Sequence, residues 1–390
     1  MNKRIIVFLL ILASSLTMAS MDLYAPSLAH LPAYFETTAE SIKLTMSLYI
    51  FAYALATLIH GPLSERFGRR PVLMWGLIGF TLASLLCALA QSAEQLIMAR
   101  IFQGVCAAVE GVLVLAIIRD LFDEQDQVKI IGMYGVATCV TPAVAPLIGG
   151  YVHVLFGWRM NFHLLFASGL IVAIAIWYYL EETANKDVVA LKPVVIIKDY
   201  IGLLQNSMYM KYCIISGCGI ATFFAFITAG PFILINNLGL KTEHFGYFQA
   251  FLVLGFAIGA FTANRMAGKN KVEGILDTGI AILVLGAGTI FVFAWLGTET
   301  IESLAIGMFL VVAAEGLIFS TTPTLSMKFS DSRTGSAAAM LVTLEMGIGS
   351  VAALAVGLFH DGSSRPLGLT IAVLTLIALA CVFYRREVTS

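Results

Sequence analysis

Residues Gly61 to Pro71 read GPLSERFGRRP and form a short hydrophilic break between two long apolar stretches, 44–63 and 71–91. Each stretch holds about twenty residues, which is the length that an α-helix needs to cross the hydrocarbon core of a bilayer. The break concentrates three arginines and one glutamate in a few positions. The pattern predicts two membrane-spanning helices joined by a tight basic turn.

The composition of the whole chain agrees with this local pattern. Of 390 residues, 59% are hydrophobic and only 12% are charged, whereas about 25% of a soluble globular chain is charged. So few charges exclude a soluble enzyme, and the absence of a basic cluster long enough to follow a phosphate backbone excludes nucleic acid as a partner. The six cysteines fall in apolar runs without metal-binding spacing. We therefore predict a polytopic membrane protein without a metal site.

Charge clusters and Pro/Gly breaks divide the chain into twelve apolar runs. These runs must be helices, because lipid cannot satisfy the backbone of an open strand. The predicted spans are 5–28, 44–63, 71–91, 95–118, 129–154, 160–180, 212–236, 246–266, 275–297, 301–327, 334–359 and 366–384.

The distribution of lysine and arginine tests this count. With the N-terminus in the cytoplasm, the cytoplasmic segments hold 18 of the 23 basic residues, the outer segments hold four, and Arg100 lies within a span. Cytoplasmic loops carry the excess of basic residues in membrane proteins. One missing span would invert the sides of all later loops, so the bias predicts twelve spans with both termini cytoplasmic.

The longest polar break separates two sets of six spans. It predicts an N-terminal six-helix bundle over 1–183, a cytoplasmic linker over 184–210 and a C-terminal six-helix bundle over 211–390. Two related bundles usually bind a substrate near the bilayer midplane and expose it to each side in turn.

The 61–71 loop resembles the motif between helices 2 and 3 of the major facilitator superfamily. The matching residues are Gly61, Leu63, Arg66, Gly68, Arg69 and Arg70. Glu65 stands where the family usually has aspartate, so its contact with the next helix N-terminus is expected to be re-aimed. The stretch 260–269 resembles a degenerate second copy of this loop. The resemblance implies that Glu65 and the matched glycines and arginines act in conformational change.

Three further elements resemble the drug:proton antiporters of the Bcr/CflA type. Asp22, Tyr24 and Pro26 match a D-x-Y-x-P element, and Arg100 to Gly104 match an R-x-x-Q-G element. The fifth span resembles the Pro/Gly-rich motif of the antiporter branch through Pro142, Pro146, Gly149 and Gly150. The resemblance implies proton-coupled export, with the fifth span as a bent helix that seals one side of a cavity.

The ionisable residues predicted at bilayer depth are Asp22, Arg100, Glu110, Glu315 and Glu345. An ionisable group is expensive there, so each is a functional candidate by default. Opposite charges at similar depth predict that Asp22 and Arg100 form a pair that opens when a proton or cationic substrate arrives; a permanent packing salt bridge is the alternative. The predicted proton-coupling residues are Asp22, Arg100, Glu110 and Glu315. The predicted substrate-binding residues are Asp22, Tyr24, Glu110, Phe223, Phe226, Glu315 and Glu345.

The source of energy follows from what the sequence lacks. It contains no phosphate-binding loop and no nucleophile–base motif, so we expect no cofactor, no enzymatic activity and transport driven by a proton gradient. The expected partners are a small-molecule substrate, protons and the lipid bilayer, for a monomer in the bacterial inner membrane.

Three other functions stay open at this point. A proton-coupled importer of a polar or zwitterionic metabolite would use the same fold, and the several buried acids favour it. A polytopic membrane enzyme would need convergent polar residues at a membrane face. A receptor would need a soluble signalling domain.

Overall fold

The computed structural model describes residues 3–183, 193–268, 271–330 and 334–388. Over these ranges the chain is helical, and twelve helices are long and apolar enough to cross a membrane. The predicted all-α fold with twelve spans is confirmed. Four basic residues used in the sidedness count, Lys186, Lys192, Lys269 and Arg333, lie outside the described residues.

The chain divides into two compact units, Met1–Val195 and Ile196–Ser390. The first unit begins with α1, which continues through a 3-10 turn at Ala25–His30 into the short helix α2. The helices of this unit are α1 Lys3–Asp22, α2 Leu31–Tyr34, α3 Ala39–Phe67, α4 Arg69–Leu89, α5 Ala93–Leu121, α6 Glu124–Phe156 and α7 Arg159–Tyr179.

The second unit repeats the six-span plan. Helix α8 precedes its spans, and a π-helical turn at Phe232–Asn237 follows α9. Its helices are α8 Pro193–Gln205, α9 Ser207–Pro231, α10 Phe245–Ala267, α11 Val272–Leu296, α12 Ile301–Met327, α13 Thr334–Leu358 and α14 Arg365–Val388.

The spans begin at polar caps that the sequence supplies. Thr38 and Ser92 accept hydrogen bonds from the backbone N–H groups three residues later, at the starts of α3 and α5. Asn206 does the same for α9, and Thr300 forms a capping box with Ser303 at α12. These caps satisfy backbone donors that a helix start leaves unpaired, so each long apolar run has a fixed first turn.

The same six pairs of helices touch in both units. In the first unit α5 packs on α3, α4 and α1, while α7 packs on α4 and α1, and α1 packs on α6. In the second unit α12 packs on α10, α11 and α9, while α14 packs on α11 and α9, and α9 packs on α13. Counted by span order, the two sets are identical. The chain therefore contains an internal structural repeat.

Glycines allow the closest of these approaches. A Cβ at Gly149 of α6 would overlap the carbonyl oxygen of Leu23, and one at Gly104 of α5 would overlap that of Tyr49. In the second unit, Gly259 of α10 lies equally close to the carbonyl oxygen of Ala313. Small residues of this kind let helix backbones approach each other inside a membrane.

Helix α6 stays continuous through both of its prolines, Pro142 and Pro146. Pro146, Gly149 and Gly150 are buried and Pro142 is partly buried. Gly149 thus provides close packing, while the predicted bend and sealing role of α6 stay predictions.

The predicted linker is not simply an extended connection. The boundary between the two units falls after Val195, inside the predicted range 184–210, and residues 193–205 of that range form α8. The sequence analysis did not predict this helix, because its thirteen residues are too few to span a bilayer and include charged residues.

Candidate functional site

Arg100 is fully enclosed within the first unit. It lies on α5 with an exposure of 0%. Its guanidinium donates from Nη1 to Gln103 Oε1 at 2.5 Å and to the carbonyl oxygen of Ser20 at 3.2 Å. Its Nε donates to the carbonyl oxygen of Thr45 at 3.4 Å, and Nη2 contacts Met46 Sδ at 3.5 Å. This set of contacts joins α1, α3 and α5 through one side chain.

Two tyrosine rings complete the surroundings of this guanidinium. Its Cζ lies 4.0 Å from the ring centroid of Tyr49 and 5.3 Å from that of Tyr24. The Tyr49 hydroxyl shares a hydrogen bond of 2.9 Å with Ser20 Oγ, and the Tyr24 hydroxyl shares one of 3.1 Å with Thr45 Oγ1. Aromatic faces attract cations strongly when water is excluded, so the two tyrosine rings help to hold the positive charge of Arg100.

Gln103 fixes the orientation of Arg100. Its amide oxygen accepts from Arg100, while its Nε2 donates to Ser84 Oγ at 2.8 Å on α4. The Ser84 hydroxyl donates in turn to the carbonyl oxygen of Phe80 at 2.8 Å. The sequence singled out Gln103 only as part of a motif and missed Ser84. A small polar residue within an apolar span was the signal available for both Ser84 and Ser20.

Asp22 is the last residue of α1 and is 4% exposed. It is thus buried in the same unit as Arg100, as the sequence predicted. The hydrogen-bond acceptors described above for Arg100 are neutral groups. The prediction that Asp22 and Arg100 form a pair that opens when a proton or cationic substrate arrives stays a prediction.

Glu110 lies near the middle of α5 with an exposure of 0%. Among the described residues, neither of its carboxyl oxygens has a hydrogen-bond partner. The nearby hydroxyl of Thr17 already donates to the carbonyl oxygen of Ser14 at 3.0 Å. The other polar side chains in electrostatic range are Tyr49, Tyr53, Cys106 and Tyr134. This is a sealed carboxyl group among hydroxyl-bearing neighbours.

In the second unit, the buried carboxyl of Glu345 has a hydrogen-bond partner. Glu345 of α13 is 3% exposed, and its Oε1 accepts a hydrogen bond of 2.5 Å from Ser216 Oγ of α9. Thr322 Oγ1 of α12 lies 2.9 Å from Ser216 Oγ as a donor. Three helices therefore meet at one carboxyl through two hydroxyl groups. The sequence named Glu345 but missed Ser216 and Thr322, because single hydroxyls are common in apolar spans.

Glu315 lies on α12, two helical turns before Thr322 and on the same face of the helix. It is 6% exposed and in electrostatic range of Glu345. The structure therefore brings these two acids into one unit, as it does with Asp22, Arg100 and Glu110.

The two predicted substrate phenylalanines occupy different environments. Phe226 is fully buried, and its ring stacks on those of Phe245 and Phe248 at centroid distances of 6.4 and 5.7 Å. Phe223 is partly buried, 6.2 Å from the ring of Phe224. In this structure Phe226 joins α9 to α10 by packing, which is the ordinary role of an aromatic residue in a helix bundle.

The basic loop at 61–71 is anchored by a network that the sequence only partly predicted. Gly68 has φ of +98°, which favours glycine, and ends α3 directly before α4. The backbone N–H of Arg69 donates to Glu182 Oε1 at 2.9 Å, so Glu182 occupies the N-terminus of α4. Glu65 is exposed and makes no described contact there. The carboxylate at the N-terminus of α4 is therefore that of Glu182.

The arginines of this loop tie it to neighbouring helices. Arg69 contacts Asp120 Oδ2 at 3.3 Å and donates to Ser64 Oγ at 2.5 Å. Arg70 donates to the carbonyl oxygen of Trp177 at 2.8 Å, with its Cζ 5.0 Å from the indole ring. The loop thus fastens the adjoining ends of α3, α4, α5 and α7 together.

Fold and charges together define a class of protein. It is an α-helical, multi-pass membrane protein made of two related six-helix units, each with ionisable side chains enclosed among its helices. The sequence profile of the Major Facilitator Superfamily matches residues 10–354. The chain belongs to the Major Facilitator Superfamily. This membership confirms the predicted family and the prediction of a transporter rather than an enzyme.

Similar proteins cover almost the whole chain. A bicyclomycin resistance protein homolog of Haemophilus influenzae is 24% identical, over 98% of this chain and 97% of the relative. A chloramphenicol resistance protein of Pseudomonas aeruginosa is 27% identical, over 93% of this chain and 86% of the relative. The inward-facing, occupied crystal structure of a bacterial homolog of the human lysosomal transporter Spinster has a TM-score of 0.76 at 14% identity, covering 99% and 97% of the two chains. This structural likeness supports the fold.

Proposed function

We propose that the protein exports a small organic molecule from the cell in exchange for protons. It works as a monomer in the inner membrane with both termini in the cytoplasm, and the proton gradient takes the place of a cofactor. Substrate reaches each side of the membrane in turn as the two six-helix units rock.

The observation that carries this proposal is the combination of whole-chain similarity to resistance proteins with charges buried inside the first unit. Two relatives are named for resistance to bicyclomycin and chloramphenicol and match nearly their full lengths. Removal of a toxic compound from the cell is the activity of a transporter that gives such resistance. Export is therefore favoured over the import of a polar metabolite.

Glu110 is the proton carrier in this proposal. An ionised carboxylate is very costly in an apolar interior unless it is paired, and neither oxygen of Glu110 has a hydrogen-bond partner among the described residues. The group is stable there when it holds a proton. Its exposure of 0% leaves room for a proton but none for an organic substrate in this conformation.

Asp22 and Arg100 respond to the substrate. The Arg100 guanidinium is buried among hydrogen-bond acceptors and tyrosine faces, where its electrostatic interaction with Asp22 or with a charged substrate is strong. In this proposal the predicted Asp22–Arg100 pair opens when a proton or a cationic substrate arrives, and the movement extends to Tyr24. Tyr24 takes part because its ring already contacts Arg100.

Everted membrane vesicles test the proposal. Chloramphenicol is the probe, and the vesicle interior is made acidic. We expect accumulation of chloramphenicol above that in vesicles without the protein, together with alkalinisation of the interior. Nigericin, which collapses the pH difference, should stop both.

Accumulation that persists unchanged after nigericin would contradict proton antiport. Proton movement in the same direction as the probe would instead indicate a symporter. The Glu110→Gln variant, with the same shape but no titratable proton, should bind the probe and fail to accumulate it.

A further inference from the structure

A small cavity lies in the second unit where the turn between α11 and α12 meets the start of α14. The polar side chains that line it are Glu299 and Ser303 at the turn, and Ser364 directly before α14. Its volume is about 10 Å³, close to the minimum that one water-sized particle needs. The rest of the wall is apolar and includes Ile233, Ile290 and Leu304. Three polar side chains therefore border a space for one small particle.

Ser364 is buried, and its hydroxyl group has no hydrogen-bond partner. Its exposure is 2%, and Oγ is unpaired among the described residues. A serine directly before a helix usually caps the first turn with its side chain. Here the carbonyl oxygen of Ser364 accepts from the N–H of Gly368 at 3.0 Å, whereas the side chain lines the cavity. The Ser364 hydroxyl is thus available to a ligand.

Glu299 supplies a carboxylate oxygen that is shielded from water. Its Oε2 is buried and has no hydrogen-bond partner in the described part of the chain. Arg365, the cation next to Ser364, lies over the indole ring of Trp295, with its Cζ 5.9 Å from the ring centroid. Because an ionised carboxylate is costly to remove from water without a compensating charge, a bound cation would stabilise Glu299.

Ser303 can offer the cavity only a lone pair. Its hydroxyl donates to the carbonyl oxygen of Thr300 at 3.0 Å and accepts from the N–H of Thr300 at 2.8 Å. Since a hydroxyl group has one hydrogen and two lone pairs, one lone pair is left for a ligand. The capping box holds this oxygen in place. The site therefore combines one anionic oxygen with two hydroxyl oxygens, and hard cations prefer oxygen ligands.

We propose that Glu299, Ser303 and Ser364 bind one sodium ion. One carboxylate balances a single positive charge, whereas a calcium or magnesium ion needs six or more oxygen ligands and would leave an excess charge in an apolar wall. The small cavity favours sodium over the larger potassium ion. Such a site differs from the histidine and cysteine clusters on which the expectation of no metal site was based. The ion would tie the α11–α12 turn to the start of α14.

Sodium binding to the full-length protein in detergent tests this proposal. Equilibrium binding of radioactive sodium is measured directly. Thermal unfolding is compared in sodium chloride, potassium chloride and choline chloride at equal ionic strength, since a ligand that binds the folded state raises its stability. The variants are Glu299→Gln and Ser364→Ala. Glu302→Gln is the matched control, because Glu302 is an exposed carboxylate in the first turn of α12.

We expect the parent chain and Glu302→Gln to bind sodium saturably and to unfold at a higher temperature in sodium than in choline or potassium. Glu299→Gln and Ser364→Ala should lose this difference, with sodium affinity lowered at least about tenfold, as happens even for residues that only support metal ligands. Ser364→Ala keeps the test open if Glu299→Gln folds poorly, because it removes one hydroxyl group only.

Equal sodium binding by Glu299→Gln and the parent chain would overturn the proposal. Equal unfolding temperatures of the parent chain in sodium and choline would also overturn it, in favour of a water molecule in the cavity. Stabilisation by potassium as large as that by sodium would overturn the choice of ion. None of these measurements uses transport, so their outcome is independent of proton-driven export.

Discussion

The two units share their scaffold but differ in their charges. Helices α5 and α12 occupy equivalent places, since each packs on the three equivalent neighbours of its unit. Helix α5 carries Arg100 and Glu110, whereas α12 carries Glu315 near its middle and no arginine or lysine. The contacts of a repeat were therefore retained while the ionisable groups diverged.

The difference extends to how each unit stabilises buried charge. In the first unit Arg100 donates to a carbonyl oxygen and to an amide oxygen, and Glu110 has no hydrogen-bond partner among the described residues. In the second unit Glu345 is held by a hydroxyl group. A sealed carboxyl without partners suits a group that gains and loses a proton, whereas a hydrogen-bonded carboxyl suits a group with a lasting structural or binding role. The comparison between Glu110 and Glu345 therefore supports the proposal that the first unit exchanges the proton.

The largest effect is expected for Arg100→Ala. This change removes the donor to two buried carbonyl oxygens and leaves a cavity between two tyrosine rings, so stability should fall by about 3–5 kcal/mol. Thermal unfolding in detergent and chloramphenicol accumulation in vesicles measure the two consequences. Arg100→Lys should rescue neither fully, because an ammonium group cannot reproduce the planar fork. Wild-type unfolding temperature and transport in Arg100→Lys would show that only charge matters here.

The second prediction compares Glu110 of the first unit with Glu345 of the second. Glu110→Gln should lower proton-driven accumulation at least about tenfold, equivalent to ~1.4 kcal/mol, because the amide keeps the shape but cannot titrate. Glu345→Gln is the matched change in the other unit. It should leave the number of protons moved per chloramphenicol unchanged, as read by a pH dye inside the vesicles. Equal loss of coupling in both variants would contradict the asymmetry.

A third test asks whether the scaffolds are equivalent. Gly149→Ala and Gly259→Ala each force a methyl group into a backbone carbonyl, at Leu23 and Ala313 respectively, and should each cost about 1–3 kcal/mol. Thermal unfolding is the measurement. Gly132→Ala and Gly274→Ala are controls with open space around the added carbon. A large cost in one unit only would break the structural equivalence of the repeat.

The scaffold was largely predictable from the sequence, but the network around the site was not. Hydropathy and the placement of basic residues predicted twelve spans, because about twenty apolar residues in succession have few alternatives. The buried positions of Asp22, Arg100, Glu110, Glu315 and Glu345 followed from the same reasoning. Their partners did not, because Ser216 and Glu345 are 129 positions apart and meet only through tertiary packing.

Helix α8 and Glu182 were missed for a related reason. Helix α8 has apolar residues at helical spacing, but its thirteen residues are too few to be predicted as a membrane span. Glu182 reaches Arg69 across 113 positions, a contact that depends on how α4 and α7 pack. Local sequence patterns therefore predict helices, whereas the contacts around a charged side chain depend on how the helices pack together.

A smaller effect is expected from loss of the hydrogen bond between Ser216 and Glu345 in the second unit. Ser216→Ala removes the 2.5 Å donor to Glu345 and should cost about 1–3 kcal/mol, the range for a hydrogen bond to a charged or buried group. Thr278→Ala, an exposed hydroxyl on α11 that bonds its own helix, is the control and should be near neutral. Thermal unfolding compares them. If the two variants are indistinguishable, Glu345 does not depend on the hydroxyl chain.

The smallest effect concerns the loops between the second and third spans of the two units. In the first unit Gly68 has a positive φ and Glu182 accepts from the start of α4, whereas Gly268 of the second unit has φ of −79°, an ordinary helical value. Glu182→Gln keeps a hydrogen-bond acceptor but removes the negative charge at a helix N-terminus, where such a charge contributes about 0.3–1 kcal/mol. We expect a loss of that size in thermal unfolding at low ionic strength, and a smaller loss in high salt because exposed charges are screened. Glu65→Gln, an exposed carboxylate in the same loop, should change stability by less than about 0.5 kcal/mol. A larger loss for Glu65→Gln than for Glu182→Gln would contradict this interpretation, because Glu65 rather than Glu182 would then hold the loop.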